Sequence, residues 1–463
     1  MRNDYDRILI IQEENLEETT PAIIIETSLL DKWNLKERDR VSLSIGTVTV
    51  FLLVRSVVSD RPLCKITPNT AARLFLPCLD YHIQVRYNHS KREIFIGPFL
   101  SALTDHPFDA AAGFGSMDIF FQEMSSLSRD KGLPFFVHRL GRINEGKSLK
   151  GYWLFGNDWI LIDSPIPEVI YNRLHSRKKE NSTTFQEYIE ELKKLSVLFF
   201  NGSFLSKLDV HTSLVKNDKL LPYLPETIPF ADEESFTAFL RNFPVVYVKP
   251  SYGSQGKNIC KMTRTAEGWI LEHSGNMLDS RIFETEEELF YTLDRNIKKR
   301  SFIVQKGIPL LEFDHKKIDF RVLLIKNKNH QWRIISVVAR IGNAGHIVSN
   351  LAQGAEMRNG KEFLYSIVQP EEGKRLYKSI GRLALASAES LTQNKEGLFG
   401  ELGVDIALDT DKTPWLIEIN SKPSKAFLGN YDKFRPSVKS IIDYMHALYR
   451  DKETIMHSGN KRD

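Results

Sequence analysis

Gly403-Val404-Asp405-Ile406-Ala407-Leu408, the polar residues 409–414, and Trp415-Leu416-Ile417-Glu418-Ile419-Asn420 form one stretch whose two halves both alternate. Alternation at period two on either side of a run of turn residues is the pattern of a β-hairpin. With the turn centred between Asp411 and Lys412, Asp405 stands opposite Glu418, and Asn420 shares the face of Glu418, because successive strand side chains point to opposite sides. Val404, Ile406, Leu408, Trp415, Ile417 and Ile419 then form the core-facing side. Two carboxylates held directly across a strand pair repel, at about 4 Å by on the order of 4 kcal/mol at a near-surface dielectric. A cation between them removes that cost. Two carboxylates and an amide, without His or Cys, are hard oxygen donors suited to Mg²⁺ or Mn²⁺ held jointly with phosphates rather than to Zn²⁺. A solvated hairpin edge is the plainer reading of an Asp and Glu pair alone; Asn420 and the downstream Pro423 favour the metal floor.

Upstream, Pro244-Val245-Val246-Tyr247-Val248-Lys249-Pro250 reads as a strand ending in a lysine, followed by Ser251-Tyr252-Gly253-Ser254-Gln255-Gly256-Lys257-Asn258. Small residues let backbone N–H groups approach an anion closely. A Walker loop has four residues between its glycines and a helix after Lys-Ser/Thr. Here two residues intervene and residues 258–261 read as a returning strand, so the segment is a hairpin flap over phosphates. An ordinary hairpin turn has the same glycine spacing; Lys249 at the strand end, a cation among apolar neighbours, gives the loop its meaning.

Around this site the 463 residues are too many for one core, and two to four domains are expected. Short Val-, Ile- and Thr-rich runs in residues 1–90 predict a β-rich domain, the strand-like residues 94–96 opening the next region. Residues 91–200 alternate strand and helix signals, as a small α/β domain does. A helix is expected over residues 116–129, and another, with Thr184 and Glu187 at capping-box spacing, closes near Leu195. Residues 201–450 form the main domain, and residues 451–463 a loose polar tail. The 63 Lys and Arg against 59 Asp and Glu are spread along the chain, so charge calls for neither nucleic acid nor a membrane as partner. Residues 1–11 lack the pattern of a signal peptide, and the longest apolar run, residues 48–54, is too short to span a bilayer; a cytoplasmic protein is expected. Cys64, Cys78 and Cys260 are scattered and read as buried, reduced thiols.

Lys249 with its glycine loop, Gln305-Lys306-Gly307-Ile308, Asp319-Phe320-Arg321, Asp405, and Glu418-Ile419-Asn420-Ser421-Lys422-Pro423 stand in the motif order of ATP-grasp ligases. The resemblance covers about residues 201–450, and Glu-x-Asn-x-x-Pro behind the facing Asp is its most specific part. The whole chain, including Pro222-Tyr223-Leu224-Pro225-Glu226-Thr227, resembles the YheC/YheD family of spore-coat-associated ATP-grasp proteins of Bacillus-type bacteria. That resemblance implies an α+β and α/β multidomain fold: a β-rich front, a pre-ATP-grasp-like domain over residues 91–200, and an ATP-grasp domain of two α+β lobes. It implies ATP with Mg²⁺ or Mn²⁺ as cofactors. Lys207 and Lys249 would lie on the phosphates under a flap that includes Gly253, Ser254 and Gly256. Gln305, Lys306 and Ile308 would meet adenine and Asp319 the ribose. Asp405, Glu418 and Asn420 would hold metal, with Arg321 and Arg340 facing the transferring phosphate and Asn350 lining the site.

From the residues alone, Lys207 reads equally as a solvated helix cation, Asp319 and Arg321 as an ion pair on one strand face, and Arg340 as a cation before the loop Gly342-Asn343-Ala344-Gly345. Related ligases carry Arg two residues before the position of Asn350 and Gly-Gly after it, where this chain has Val348 and Gly354-Ala355. None of the 12 histidines forms a Ser/His/Asp or Cys/His arrangement; His211, His315 and His346 read as loop or surface residues. The expected activity is ligation of a small-molecule or peptide carboxylate to an amine or thiol through an acyl phosphate, with spore-coat proteins as further partners. The alternatives are an ATP-grasp phosphotransferase and a catalytically idle nucleotide-binding protein of the coat.

Overall fold

In the strand Val48–Val57, Val50, Leu52 and Val54 are buried while Phe51 is 78% exposed. The same period-two burial recurs through the front of the chain, where seven strands between Asp6 and Ile96 close into a barrel. The computed structural model describes residues 5–14, 21–253, 258–274, 276–297, 301–342, 356–425 and 433–459. The chain divides into two compact units, Met1–Gly202 with Asn327–His330 and Tyr431–Asp463, and Ser203–Lys326 with Gln331–Asn430. Among the described residues no helix is long and apolar enough to cross a membrane.

In the first unit, residues 94–96 end the barrel instead of opening the next region. Glu93–Ile96 pairs with both Arg40–Ile45 and Ile83–Asn88, and Ile94 and Ile96 fill the barrel interior. Behind it lies a six-stranded sheet in the order Asp158–Pro165, Ser148–Phe155, Phe135–Arg139, Leu100–Thr104, Val169–Arg173, Leu198–Phe200. The last four strands are mutually parallel, as α/β crossovers require. Barrel and sheet share one hydrophobic core, which runs from Ile8 and Val41 to Phe136, Trp153 and Leu192; Cys64 lies in it, whereas Cys78, expected to be buried, is exposed in the segment after the helix Pro68–Arg73. The helix Thr183–Lys194 is capped by Ser182, whose hydroxyl accepts the Phe185 N–H at 3.3 Å, so Thr184 lies inside the helix and caps nothing. The loose tail expected from Asp451 is a helix to Gly459, because Pro436–Gly459 packs as one element of this unit. Glu453 is buried there, ion-paired to Arg86 at 2.8 Å and accepting the Tyr449 hydroxyl at 2.7 Å.

The same unit holds a buried acid, Glu168, whose Oε2 accepts the Phe99 N–H at 2.6 Å. Burial pushes its carboxyl up to about 8. The folded chain keeps this proton to higher pH than the unfolded one, so the stabilisation is full below about 4.5 and is lost as pH rises through about 8. The thermal midpoint of the wild type is expected to fall across that window, and that of Glu168→Gln to fall less; equal slopes would rule out this acid as the cause.

The second unit has two α+β lobes. One is an antiparallel sheet ordered Thr227–Pro229, Phe302–Lys306, Val245–Pro250, Cys260–Thr265, Gly268–His273, Asn276–Phe283. Helices Glu233–Asn242 and Glu286–Ile297 cover it through Phe236, Leu240, Leu289 and Leu293. The other is ordered Glu356–Asn359, Trp332–Ile341, Lys316–Lys326, Glu401–Leu408, Pro414–Asn420, and packs on the helix Pro370–Gln393.

Candidate functional site

The hairpin Glu401–Leu408 and Pro414–Asn420 sets Asp405 opposite Glu418 and Gly403 opposite Asn420. Near the turn the register is one residue different, with Ile406 opposite Leu416 and Leu408 opposite Pro414, and a bulge takes up the shift. The core residues of the second strand are consequently Leu416 and Ile419, while Trp415 and Ile417, expected in the core, are only half-buried. Trp415 instead donates its indole N–H to Asp409 at 2.8 Å.

The cations that the facing carboxylates require come from the protein. Asp405 takes both Arg321, with Nη2 2.9 Å from Oδ2, and Arg340, with Nη2 3.0 Å from the same oxygen. Arg340 also holds Asp319 through its Nε. Asp319 pairs with Arg340, and Arg321 with Asp405, directly across the sheet, so two acids and two arginines alternate over three strands. Burial opposes the charge on Asp405, yet Arg321 and Arg340 hold its carboxyl below the ordinary value. Burial likewise opposes the charge on Arg340, and Asp319 and Asp405 raise its value. Side-chain exposure separates the arginines: 21% for Arg321 and 6% for Arg340. A Cβ on Gly403 would lie 2.7 Å from Pro423 and 3.4 Å from Arg321, so this position keeps the space those two occupy.

Glu418 is paired from the other direction. Lys207, the first residue of the helix Lys207–Leu214, places Nζ 3.0 Å from Glu418 Oε1 and 3.2 Å from the Gly253 carbonyl. Lys249 donates to Gln305 Oε1 at 2.7 Å, and Gln305 in turn donates to Thr227 Oγ1 at 2.9 Å. Burial pushes the Lys249 ammonium down to about 8; Lys207 adds to the shift and Glu418 opposes it. Lys306 points elsewhere, its Nζ 5.0 Å from the Phe243 ring and 3.6 Å from Glu226. Ile308 is half-buried beyond Gly307, whose N–H donates to the Val245 carbonyl at 2.8 Å. Lys207, Gln305 and Glu418 share a cleft of about 430 Å³ whose walls include Leu416 and Ile417.

The structure thus brings together Lys207, Gly253, Lys249, Gln305 and Glu418, and in a second cluster Asp319, Arg321, Arg340 and Asp405. Asp319 is buried on Arg340, where the sequence reading set it near a ribose. Ser254, Gly256 and Asn350 lie outside the described residues, as does His346. His211, read as a loop or surface residue, sits on the helix Lys207–Leu214 one turn beyond Lys207 and lines the cleft. His315 is in a turn with φ of 58°. Tyr247 was missed: its ring lies 5.0 Å from Lys249 Nζ, and its hydroxyl accepts from Lys317 at 3.4 Å. Its position two before Lys249 on one strand was the available signal.

Two α+β lobes, one offering a lysine from a strand end and the other carboxylates from a hairpin, define an ATP-grasp protein. Residues 196–448, more than half of the chain, match the family described as YheC/D like ATP-grasp, and this chain belongs to that family. Endospore coat-associated protein YheD of Bacillus subtilis (strain 168) is 27% identical over 342 residues, covering 73% of this chain and 75% of its own. Endospore coat-associated protein YheC of the same organism is 24% identical over 283 residues, covering 59% and 75%. Among solved structures, the D-alanine-D-alanine ligase from Coxiella burnetii aligns at a TM-score of 0.46 and 11% identity, over 79% of this chain and 100% of that one.

Proposed function

We propose that the protein is an ATP- and Mg²⁺-dependent ligase that joins a carboxylate to an amine or thiol and works in association with the spore coat. The observation that carries this reading is the meeting of Lys207 and Lys249 with Glu418 across the cleft of one ATP-grasp unit. Lysine ammonium groups next to a carboxylate floor suit a polyphosphate. The donors also fit a divalent cation. Glu418 and Asn420 offer oxygen from one strand, and Glu418 Oε2 carries no hydrogen bond among the described residues. Glu418 and Asn420 would hold Mg²⁺, which when bound offsets the negative charge of the phosphates, whereas Asp405, its two oxygens taken by Arg321 and Arg340, would join them only by giving up an arginine contact.

In this scheme Lys207 and Lys249 lie on the phosphates, the flap that includes Gly253, Ser254 and Gly256 closes over them, and Gln305, Lys306 and Ile308 border adenine. Arg321, the more exposed arginine, faces the transferring group. Arg340 and Asp319 position Asp405, and Asn350 lines the site. The substrate carboxylate oxygen attacks the γ-phosphorus and ADP leaves. The amine then attacks the acyl carbon, phosphate departs and the nitrogen loses a proton. Water exclusion by the flap keeps the acyl phosphate from hydrolysis. The names of the two relatives motivate the coat association, which is compatible with a cytoplasmic protein that reaches the coat later.

The test is ADP and phosphate release by purified protein with ATP and Mg²⁺, with and without spore or cell extract, followed by product analysis. Extract-dependent release with a condensed product supports the ligase. A stable phosphorylated product would mean a phosphotransferase, and ATP binding without turnover in any extract would mean an idle nucleotide-binding coat protein.

A further inference from the structure

In the sheet of the first unit, Leu100–Thr104 and Val169–Arg173 are parallel neighbours that the chain leaves in opposite directions. From the first it passes through the helix Asp118–Lys131 to Phe135–Arg139 on one side, and from the second through the helix Thr183–Lys194 to Leu198–Phe200 on the other. Where strand order reverses in this way, a crevice opens beyond the carboxyl ends of the two strands, and open α/β sheets hold ligands there. The last row of this sheet is Arg139, Thr104 and Arg173, directly paired across three parallel strands. Laterally paired residues share a face, so two guanidinium-bearing side chains flank one threonine.

The residues that follow belong to the same place. His106 and His175 meet edge to face with ring centroids 4.4 Å apart. Asp105 accepts the N–H groups of His175 at 2.7 Å and Ser176 at 2.9 Å, which ties the two strand ends together. Arg173, only 1% exposed, has Nη2 3.4 Å from His175 Nε2. Burial holds both imidazoles below their ordinary value, Asp105 opposing and Arg173 adding to the effect.

We propose that this crevice binds the oxyanion of a small molecule, a carboxylate or a phosphate, between Arg139 and Arg173, with His106 and His175 as hydrogen-bonding groups at its mouth. Arginine on either side suits a planar or tetrahedral oxyanion, since the guanidinium fork makes paired, charge-assisted bonds. The inference stands on the first unit alone and survives or fails apart from the nucleotide reading.

Histidine side-chain NMR signals of the full chain, assigned with His106→Asn and His175→Asn, are followed while malonate or inorganic phosphate is added against an equal ionic strength of chloride. Saturable shifts at His106 and His175 are expected, with apparent affinity weakened roughly tenfold or more in Arg139→Met, a change of about 1.4 kcal/mol. Arg139 is exposed, so that substitution leaves the fold intact. Response to phosphate alone marks a phosphate-bearing ligand, and response to malonate a carboxylate. No saturable shift with either anion, or an unchanged affinity in Arg139→Met, overturns the proposal.

Discussion

Lys249→Met should lower ATP turnover by about 10²–10³-fold, the loss found when one preorganised charge donor to a transition state is removed. The ammonium sits at the end of Val245–Pro250 and is held by the neutral Gln305 amide, with burial and Lys207 keeping it down at about 8. It is a cation prepared for an anion at some cost to itself. Lys249 is charged below that value and neutral above it. The kcat/KM for ATP, which reports groups in the free enzyme, is therefore expected to fall as pH rises through about 8 in the wild type and to be flat across that range in Lys249→Met. A wild-type profile without that alkaline limb, or a variant that keeps it, would assign the charge to another group. Methionine preserves most of the packing of the lysine stem, so the thermal midpoint should change little.

The second large effect concerns stability. Arg340→Met takes from the buried Asp319 the guanidinium that its Oδ1 accepts and from the buried Asp405 one of its two guanidiniums. Breaking a buried ion pair from one side typically costs about 3–5 kcal/mol, because the remaining charge has lost its water without keeping its partner. Denaturant unfolding should show a loss of that order. Adding Asp319→Leu removes one of the stranded charges, so the double variant should recover part of the loss. A double variant no more stable than Arg340→Met would deny that the carboxylate is the source of the cost.

Sequence reading carried furthest where side chains and backbone obey one local rule. The pairing of Asp405 with Glu418 followed from alternation and a turn, and the need for positive charge followed from Coulomb's law. What remained hidden was where that charge comes from: Arg321 lies 84 positions and Lys207 lies 211 positions from its partner. Strand order decides such meetings, and period two says nothing about strand order. The bulge was hidden for a related reason, since Leu416 and Ile417 are equally apolar and only packing chooses which of them faces the core. Ile94 and Ile96 looked like the start of a domain because a lone apolar strand carries no mark of its neighbours. The helix beyond Asp451 was misread from polarity, whereas Glu453 is polar and buried, satisfied by Arg86 and Tyr449 from its own unit. Tyr247 could have been read, being on the face of Lys249; Thr227, which orients Gln305, could not.

The single core shared by barrel and sheet bears on how the chain can be cut. A truncation that starts after Ile96 would remove part of the buried cluster that Phe136, Trp153 and Ile170 share with barrel residues such as Val41 and Ile45. The front of the chain is therefore no detachable cap on a smaller protein. Any shortened or chimeric version has to carry barrel and sheet together or discard both, and the same holds for any exchange of these parts between relatives.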